Sequence, residues 1–184
     1  MKTVNIGLCG LGTVGGGVYA VLKRNAALIS ARAGSNILVS HVATRSINPR
    51  CAPASTKISQ DVIQISEDPD IHIVVELIGG ISVAFDLIMS AIRNGKHVVT
   101  ANKALIAERG SEIFVEAEKY EVIVAFEAAV AGGIPIIKAL REGLVANDIQ
   151  WMAGIINGTS NFILSEMSSK KRKFQDVLEE AKEK

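Results

Sequence analysis

A strand-like run that breaks into spaced glycines and then resumes with helical periodicity leaves a chain few folds to choose from. Residues 4–15 read VNIGLCGLGTVG. Ile6 and Leu8 precede the glycines, and Val14, Val18, Val21 and Leu22 follow at the spacing of one helix face. The pattern predicts a strand, a tight turn and a helix. Gly10 allows the turn, Gly12 lets backbone approach a diphosphate, and Gly15 lets the helix pack close to the strand. Leu11, Thr13 and Val14 complete a cofactor-binding turn at the helix N-terminus. A plain glycine-rich turn can carry the same letters. The flanking strand and amphipathic helix favour a dinucleotide site.

Strands and helices alternate beyond this point. The first helix is expected to fade between Ser30 and Gly34, and residues 37–44 form a continuous apolar strand. Residues 46–59, with Pro49 and Pro53, read as loop. A second buried strand covers 71–78, and Gly79 and Gly80 open a helix whose face is Ile81, Ala84, Phe85, Ile88 and Ile92, stopped by Gly95. A short strand at 97–100, a helix over 103–120 and a strand at 122–126 complete the series. Parallel strands need crossovers and these are helical, so the fold class is α/β, a doubly wound parallel sheet with ligands at the strands' C-terminal ends. Past Glu127 small residues dominate, and Pro135 suits a helix start. A boundary near Gly132 gives a first domain over 1–131 and a second over 132–184. In the second, 149–156 read as a strand, 160–167 as a helix, and Phe174, Val177, Leu178 and Ala181 as the apolar face of a last helix.

Composition narrows the function classes. With 48% hydrophobic and 4% aromatic residues among 184, the chain suits a packed aliphatic core. No apolar run approaches the roughly 20 residues of a membrane span. Cys9 and Cys51, with no secretory signal in front, fit a reducing cytoplasm and buried or incidental thiols. Net charge is +1, yet residues 1–60 hold seven Lys or Arg and no acid, Asp61 being the first. No clustered basic helix or aromatic surface accompanies them, so a small anionic ligand is favoured over nucleic acid.

Several side chains are candidates for chemistry. An acid after the second strand would bind the ribose diol of NAD. Here Thr44-Arg45-Ser46 stand there, so Arg45, helped by Lys57, is placed to meet the 2'-phosphate of NADP. A surface arginine in a site accepting both cofactors is the alternative. Thr100 and Lys103 lie at the end of a strand where cofactor and substrate would meet, although a lysine there is often only solvated. Glu127 either bonds to nearby backbone or helps free carbonyls hold a cation. Residues 154–161, GIINGTSN, put amides and hydroxyls at a strand-to-helix turn, where helix capping explains one of them but not the set. His41, His72 and His97 sit in apolar strands as structural residues, and 170–173, KKRK, are a solvated turn.

Taken together, GLGTVG at 10–15, TANKALIA at 100–107, EAAVAGGIPII at 127–137 and GIINGTSNFILSEM at 154–167 resemble homoserine dehydrogenase. The last two motifs are the more specific. The resemblance covers nearly the whole chain. It implies a Rossmann-like NAD(P)-binding domain followed by the start of an α+β substrate and dimerisation domain. The implied reaction interconverts L-homoserine and L-aspartate 4-semialdehyde with NADP or NAD, in synthesis of threonine, methionine and isoleucine, by a cytoplasmic homodimer. It also implies that Lys103 stands beside nicotinamide and substrate, and that Asn157 and Thr159 belong to the substrate-side turn. Glu127, Val130, Gly132 and Ile134 match positions that bind a sodium ion. The family's main acid–base residues are expected beyond Lys184, so residues 1–184 alone are expected to be inactive. The rival readings are a non-catalytic NADP(H)-binding regulatory module and another amino-acid or semialdehyde dehydrogenase.

Overall fold

A computed structural model describes residues 2–46, 56–155 and 157–183. Pro49, Cys51, Pro53 and Ile156 lie outside them. By contacts the chain divides into two units, Met1–Ala139 and Leu140–Lys184.

The first unit is one parallel sheet with helices on both faces. In chain order it runs β1 (Thr3–Cys9), α1 (Thr13–Arg24), α2 (Ala26–Ala33), β2 (Asn36–Ala43), β3 (Lys57–Ser59), α3 (Ile63–Glu67), β4 (Ile73–Glu76), α4 (Ser82–Arg93), β5 (His97–Thr100), α5 (Lys103–Lys119) and β6 (Val124–Ala125). A 3-10 turn at Glu127–Ala129 leads to the short helix α6 (Ile136–Lys138). The six strands lie in the order β3-β2-β1-β4-β5-β6, every pairing parallel. The chain leaves β1 toward β2 on one side and returns to β4 on the other. A crevice therefore opens at the C-terminal ends of β1 and β4.

Alternation along the strands divides the core between the two faces. Leu8, Val42 and Val75 pack with Val18, Tyr19 and Leu22 of α1. Cys9, Ala43 and Val74 pack with Ile65 of α3, Leu87, Ile88 and Ile92 of α4, and Ile113 of α5. Each of the fully buried aliphatic side chains contributes about 1.5–3 kcal/mol. The expected face of α4 was right at Ala84, Ile88 and Ile92, but Leu87 and Ala91 replace Ile81 and Phe85 among its fully buried residues.

Four expectations are corrected. The first helix does not run unbroken toward Ser30: it stops at Asn25, whose backbone leaves helical geometry, and α2 restarts to end at Gly34 with φ 66°. The loop expected over 46–59 contains β3, whose Lys57, Ile58 and Ser59 pair with His41, Val42 and Ala43. The strand expected over 122–126 is confined to Val124 and Ala125. Residues 149–155 form no strand: none pairs with a neighbour among the described residues, and Trp151 is 79% exposed. An apolar run becomes a strand only where a partner offers its ladder.

The second unit contains a π-helical turn (Ala139–Gly143, its first residue shared with the first unit), α7 (Gly158–Lys170) and α8 (Phe174–Glu183). The two helices pack together, and Arg172 bonds to Glu166 at 3.1 Å and Glu180 at 2.6 Å.

Candidate functional site

The glycine turn joins β1 to the crevice. Gly10 has φ 98°, and a Cβ there would stand 2.6 Å from the carbonyl oxygen of Leu77, just past β4. Its N–H donates to Ala43 O at 2.8 Å and Leu77 N–H donates to Cys9 O at 2.9 Å, so the ends of β2, β1 and β4 are laced together. A Cβ on Gly15 would collide with Gly10 O. At Gly12 the situation is reversed, because a Cβ there would meet nothing within 4 Å. Gly12 caps α1 without a side-chain hydrogen bond, and no acid lies in the first turn. The turn is thus tight toward the protein and open toward solvent, which fits an anion seated at a helix N-terminus.

Across from this turn lies the start of α5. A cleft of about 280 Å³ is lined by Val14 of α1, Glu76, Leu77 and Gly79 after β4, and Ala101, Asn102, Lys103 and Ala104. The structure brings Lys103 and the glycine turn to one cleft. Lys103 is the exposed first residue of α5, and Asn102 caps that helix through Oδ1, which accepts from Leu105 N–H at 3.1 Å. A larger hollow of about 440 Å³ runs along α4 past Phe85, Met89 and Arg93 and touches neither.

The other expected site residues are placed as follows. Arg45 is exposed directly after β2. Lys57 is not brought to the end of β2: on the edge strand β3 it pairs with His41, and its exposed ammonium lies 3.3 Å from Asp68. Thr100 does not offer its side chain to the cleft, being fully buried with its hydroxyl donating to Glu76 Oε2 at 2.5 Å. Both oxygens of Glu127 accept backbone N–H groups, from Ile137 and Lys138, each at 2.9 Å. Of the two readings for this residue, the backbone-bonded one describes what is seen. Asn157 caps α7 by accepting from Ser160 N–H at 2.8 Å, and Thr159 is exposed in its first turn.

Sequence reasoning missed Glu76. It ends an apolar strand, is fully buried, and accepts from Ile78 and Gly79 N–H at 2.9 and 3.2 Å. The only signal was an acid inside a run of valines and leucines. Burial, and then the nearby Glu76 charge, push the Cys9 thiol far above its ordinary range, which makes it inert. Lys96 was also missed. Nearly buried, it donates to the carbonyls of Asp68 and Ile71 at 2.6 and 2.9 Å, and burial lowers its pKa against the pull of Asp68 and Asp70. The three histidines are structural: His72 and His97 accept from Asn5 and Ile123 N–H through Nδ1, and His41 bonds to Asp68 and Ser59.

Residues 10–127 match the family model described as homoserine dehydrogenase, NAD binding domain, and residues 135–184 match that of homoserine dehydrogenase. The chain belongs to the homoserine dehydrogenase family. It is 61% identical over 181 residues to the homoserine dehydrogenase of Pseudomonas aeruginosa and 58% identical over 182 residues to that of Neisseria gonorrhoeae, covering 98% of this chain and 42% of each relative. The chain thus spans about two fifths of the length of these relatives. Among solved structures, a homoserine dehydrogenase from Thiobacillus denitrificans superposes with TM-score 0.88 at 57% identity, over 100% of this chain and 43% of that one. A hyperthermophilic archaeal homoserine dehydrogenase in complex with NADPH gives TM-score 0.79 at 25% identity, over 99% and 61%. No helix among the described residues is long and apolar enough to cross a membrane.

Proposed function

We propose that this chain carries the cofactor half of an enzyme that interconverts L-homoserine and L-aspartate 4-semialdehyde by hydride transfer. The observation that carries the reading is the single cleft shared by the glycine turn and the Lys103-bearing start of α5. The family and the NADPH-bound archaeal relative support it. When bound, the cofactor supplies the carbon that exchanges hydride with the substrate. The residues here hold and orient. Backbone amides of Leu11 to Gly15 meet the diphosphate, since the Gly10 N–H is already bonded to Ala43 O, and Arg45, with no acid in residues 1–60 to displace it, meets a 2'-phosphate and so favours NADP over NAD. Lys57 gives a longer-range positive charge at most, since Asp68 already engages it. Thr100 acts through Glu76 rather than by contact with the cofactor. Lys103 orients the substrate oxygen, and Asn157 and Thr159 belong to the substrate side.

In this reading residues 1–131 serve the cofactor and 132–184 belong to a substrate-binding and dimerisation domain of a cytoplasmic homodimer. A sodium ion at Glu127 and the carbonyls of Val130, Gly132 and Ile134 would have only oxygen ligands, as a hard cation prefers. It would share them with amides, since Glu127 caps α6 and Ile134 O accepts from Ile136 N–H at 2.8 Å. Activity unchanged on replacing sodium by tetramethylammonium would remove the ion. The deciding experiment for the function is NADP reduction with homoserine on the full-length gene product. Binding of NADPH without turnover would indicate a regulatory module, and turnover of another amino acid only would indicate a different dehydrogenase.

A further inference from the structure

We propose that Glu76 is the positioning residue of the cofactor edge, its buried carboxylate tying the loop after β4 to the start of α5 so that both sides of the cleft are held as one unit. The inference rests on the cofactor reading above. Oε1 accepts from Ile78 and Gly79 N–H, while Oε2 accepts from the Thr100 hydroxyl at 2.5 Å. Thr100 Oγ1 in turn accepts from Asn102 N–H at 3.0 Å. Asn102 closes the ring: its Nδ2 donates back to Gly80 O at 2.5 Å and its Oδ1 caps α5. The ring thus joins Gly79 and Gly80, both at positive φ, to the start of α5 that bears Lys103.

The choice of an acid here needs a cause. Burying a carboxylate costs several kcal/mol unless donors surround it, and its neighbour along β4, Val75, and its partner on β1, Cys9, make do with apolar side chains. Among the described residues no lysine or arginine is bonded to Glu76, and three donors from two separate segments converge on it instead. An ionised carboxylate offers about four lone-pair sites on two oxygens, so it can accept all three donors from both segments at once, one more than a hydroxyl's two lone pairs allow. Glu76 also lines the cleft itself. A shift of the ring would therefore move Gly79 and Lys103 together.

The test compares Glu76→Leu, Glu76→Gln and Thr100→Val with the parent chain by amide hydrogen exchange without ligand and by NADPH titration. Glu76→Leu is expected to speed exchange about tenfold or more at Ile78 and Gly79, and also across the cleft at Asn102 and Leu105, and to weaken NADPH about tenfold or more. Thr100→Val should act in the same direction on both sides while leaving the carboxylate in place. Glu76→Gln keeps one oxygen for the two amides and turns its NH2 toward Thr100 Oγ1, so it should return both readouts to within about threefold. Exchange that quickens only at Ile78 and Gly79, or a folded Glu76→Leu chain with unchanged NADPH affinity, overturns the proposal. If Glu76→Leu does not fold, Thr100→Val decides. If the parent chain itself does not bind NADPH, the cofactor reading fails, and exchange across the cleft still tells whether Glu76 couples its two sides.

Discussion

Gly12 and Gly15 have the same side chain and opposite surroundings, and this difference separates folding from binding. Gly15→Ala forces a Cβ against Gly10 O and is expected to cost about 1–3 kcal/mol in stability, with cofactor binding lost through the displaced turn. Gly12→Ala points its methyl into open space, so it should cost about 1 kcal/mol at most while still obstructing the diphosphate. Urea denaturation alongside NADPH titration distinguishes the two; a Gly12→Ala chain that binds NADPH normally would remove the diphosphate from this turn. At the next position along the edge, Arg45→Ala should narrow the preference for NADPH over NADH by about 1.5–3 kcal/mol, the worth of a charge-assisted contact. Titrations with no preference to narrow would return Arg45 to the surface. These residues were legible because glycine spacing and an absent acid are local features of the sequence. Glu76 was not, since its meaning depends on Thr100, 24 positions away, and only the sheet brings them together.

Elements were legible where their periodicity was long. The helix α4 announced itself by its apolar face, whereas β3, three residues long, exists because β2 offers a free edge beside it. The run 149–155 is more apolar than β3 yet pairs with no strand among the described residues, so it stays irregular. A polar cluster fixes β3: His41, buried in β2, bonds Ser59 Oγ at 3.0 Å through Nε2 and Asp68 Oδ2 at 3.2 Å through Nδ1, and Lys57 reaches the same Asp68. Burial lowers the His41 pKa below its ordinary 6.5 and outweighs the opposing bond to Asp68. Asp68 is itself lowered: burial raises it, but bonds from Asp70 N–H, His41 and Lys57 prevail. For a lowered histidine the unfolded chain binds the proton more readily, so stability is complete above about 6.5 and is lost as pH falls through that value. The Asp68 contribution is lost lower, as pH falls below the ordinary 3.8. Melting temperature is therefore expected to drop between pH 7 and pH 5, and His41→Gln should flatten that slope whatever it does to the absolute value. A rise in melting temperature over the same interval would mean that His41 is protonated and paired with Asp68 in the native state.

At the scale of the molecule, Met1–Ala139 holds the six-stranded sheet, both core clusters and the cleft, while Leu140–Lys184 holds a helix pair preceded by an exposed segment. Glu127 explains why the division by contacts falls past Gly132: its carboxylate fastens Ile137 and Lys138 to the first unit ten residues downstream. The sequence offered backbone bonding as one reading of Glu127 but not partners ten residues on, and small residues and Pro135 marked the change of texture earlier. Within the second unit, ahead of α7, lie Val145, Trp151 and Met152, 75%, 79% and 68% exposed, in backbone that joins no helix or strand. A protease needs some ten residues of backbone that can adapt to its own active site, and helices and paired strands resist this until they open. Chymotrypsin is therefore expected to cut first at Leu144, Trp151 or Met152. The larger product, carrying the N-terminus and residues to at least 143, should keep the whole glycine turn, Glu76 and Lys103, and should bind NADPH within about threefold of the parent chain, because none of the residues lining the cleft lies beyond Ala104. Mass spectrometry of early digestion products locates the cuts, and nucleotide titration of the purified product tests its competence. Early cleavage inside 57–139 at a comparable rate would show that the sheet unit opens as readily as the segment after it. A stable product that no longer bound NADPH would mean that residues past Leu144 contribute directly to the cofactor site.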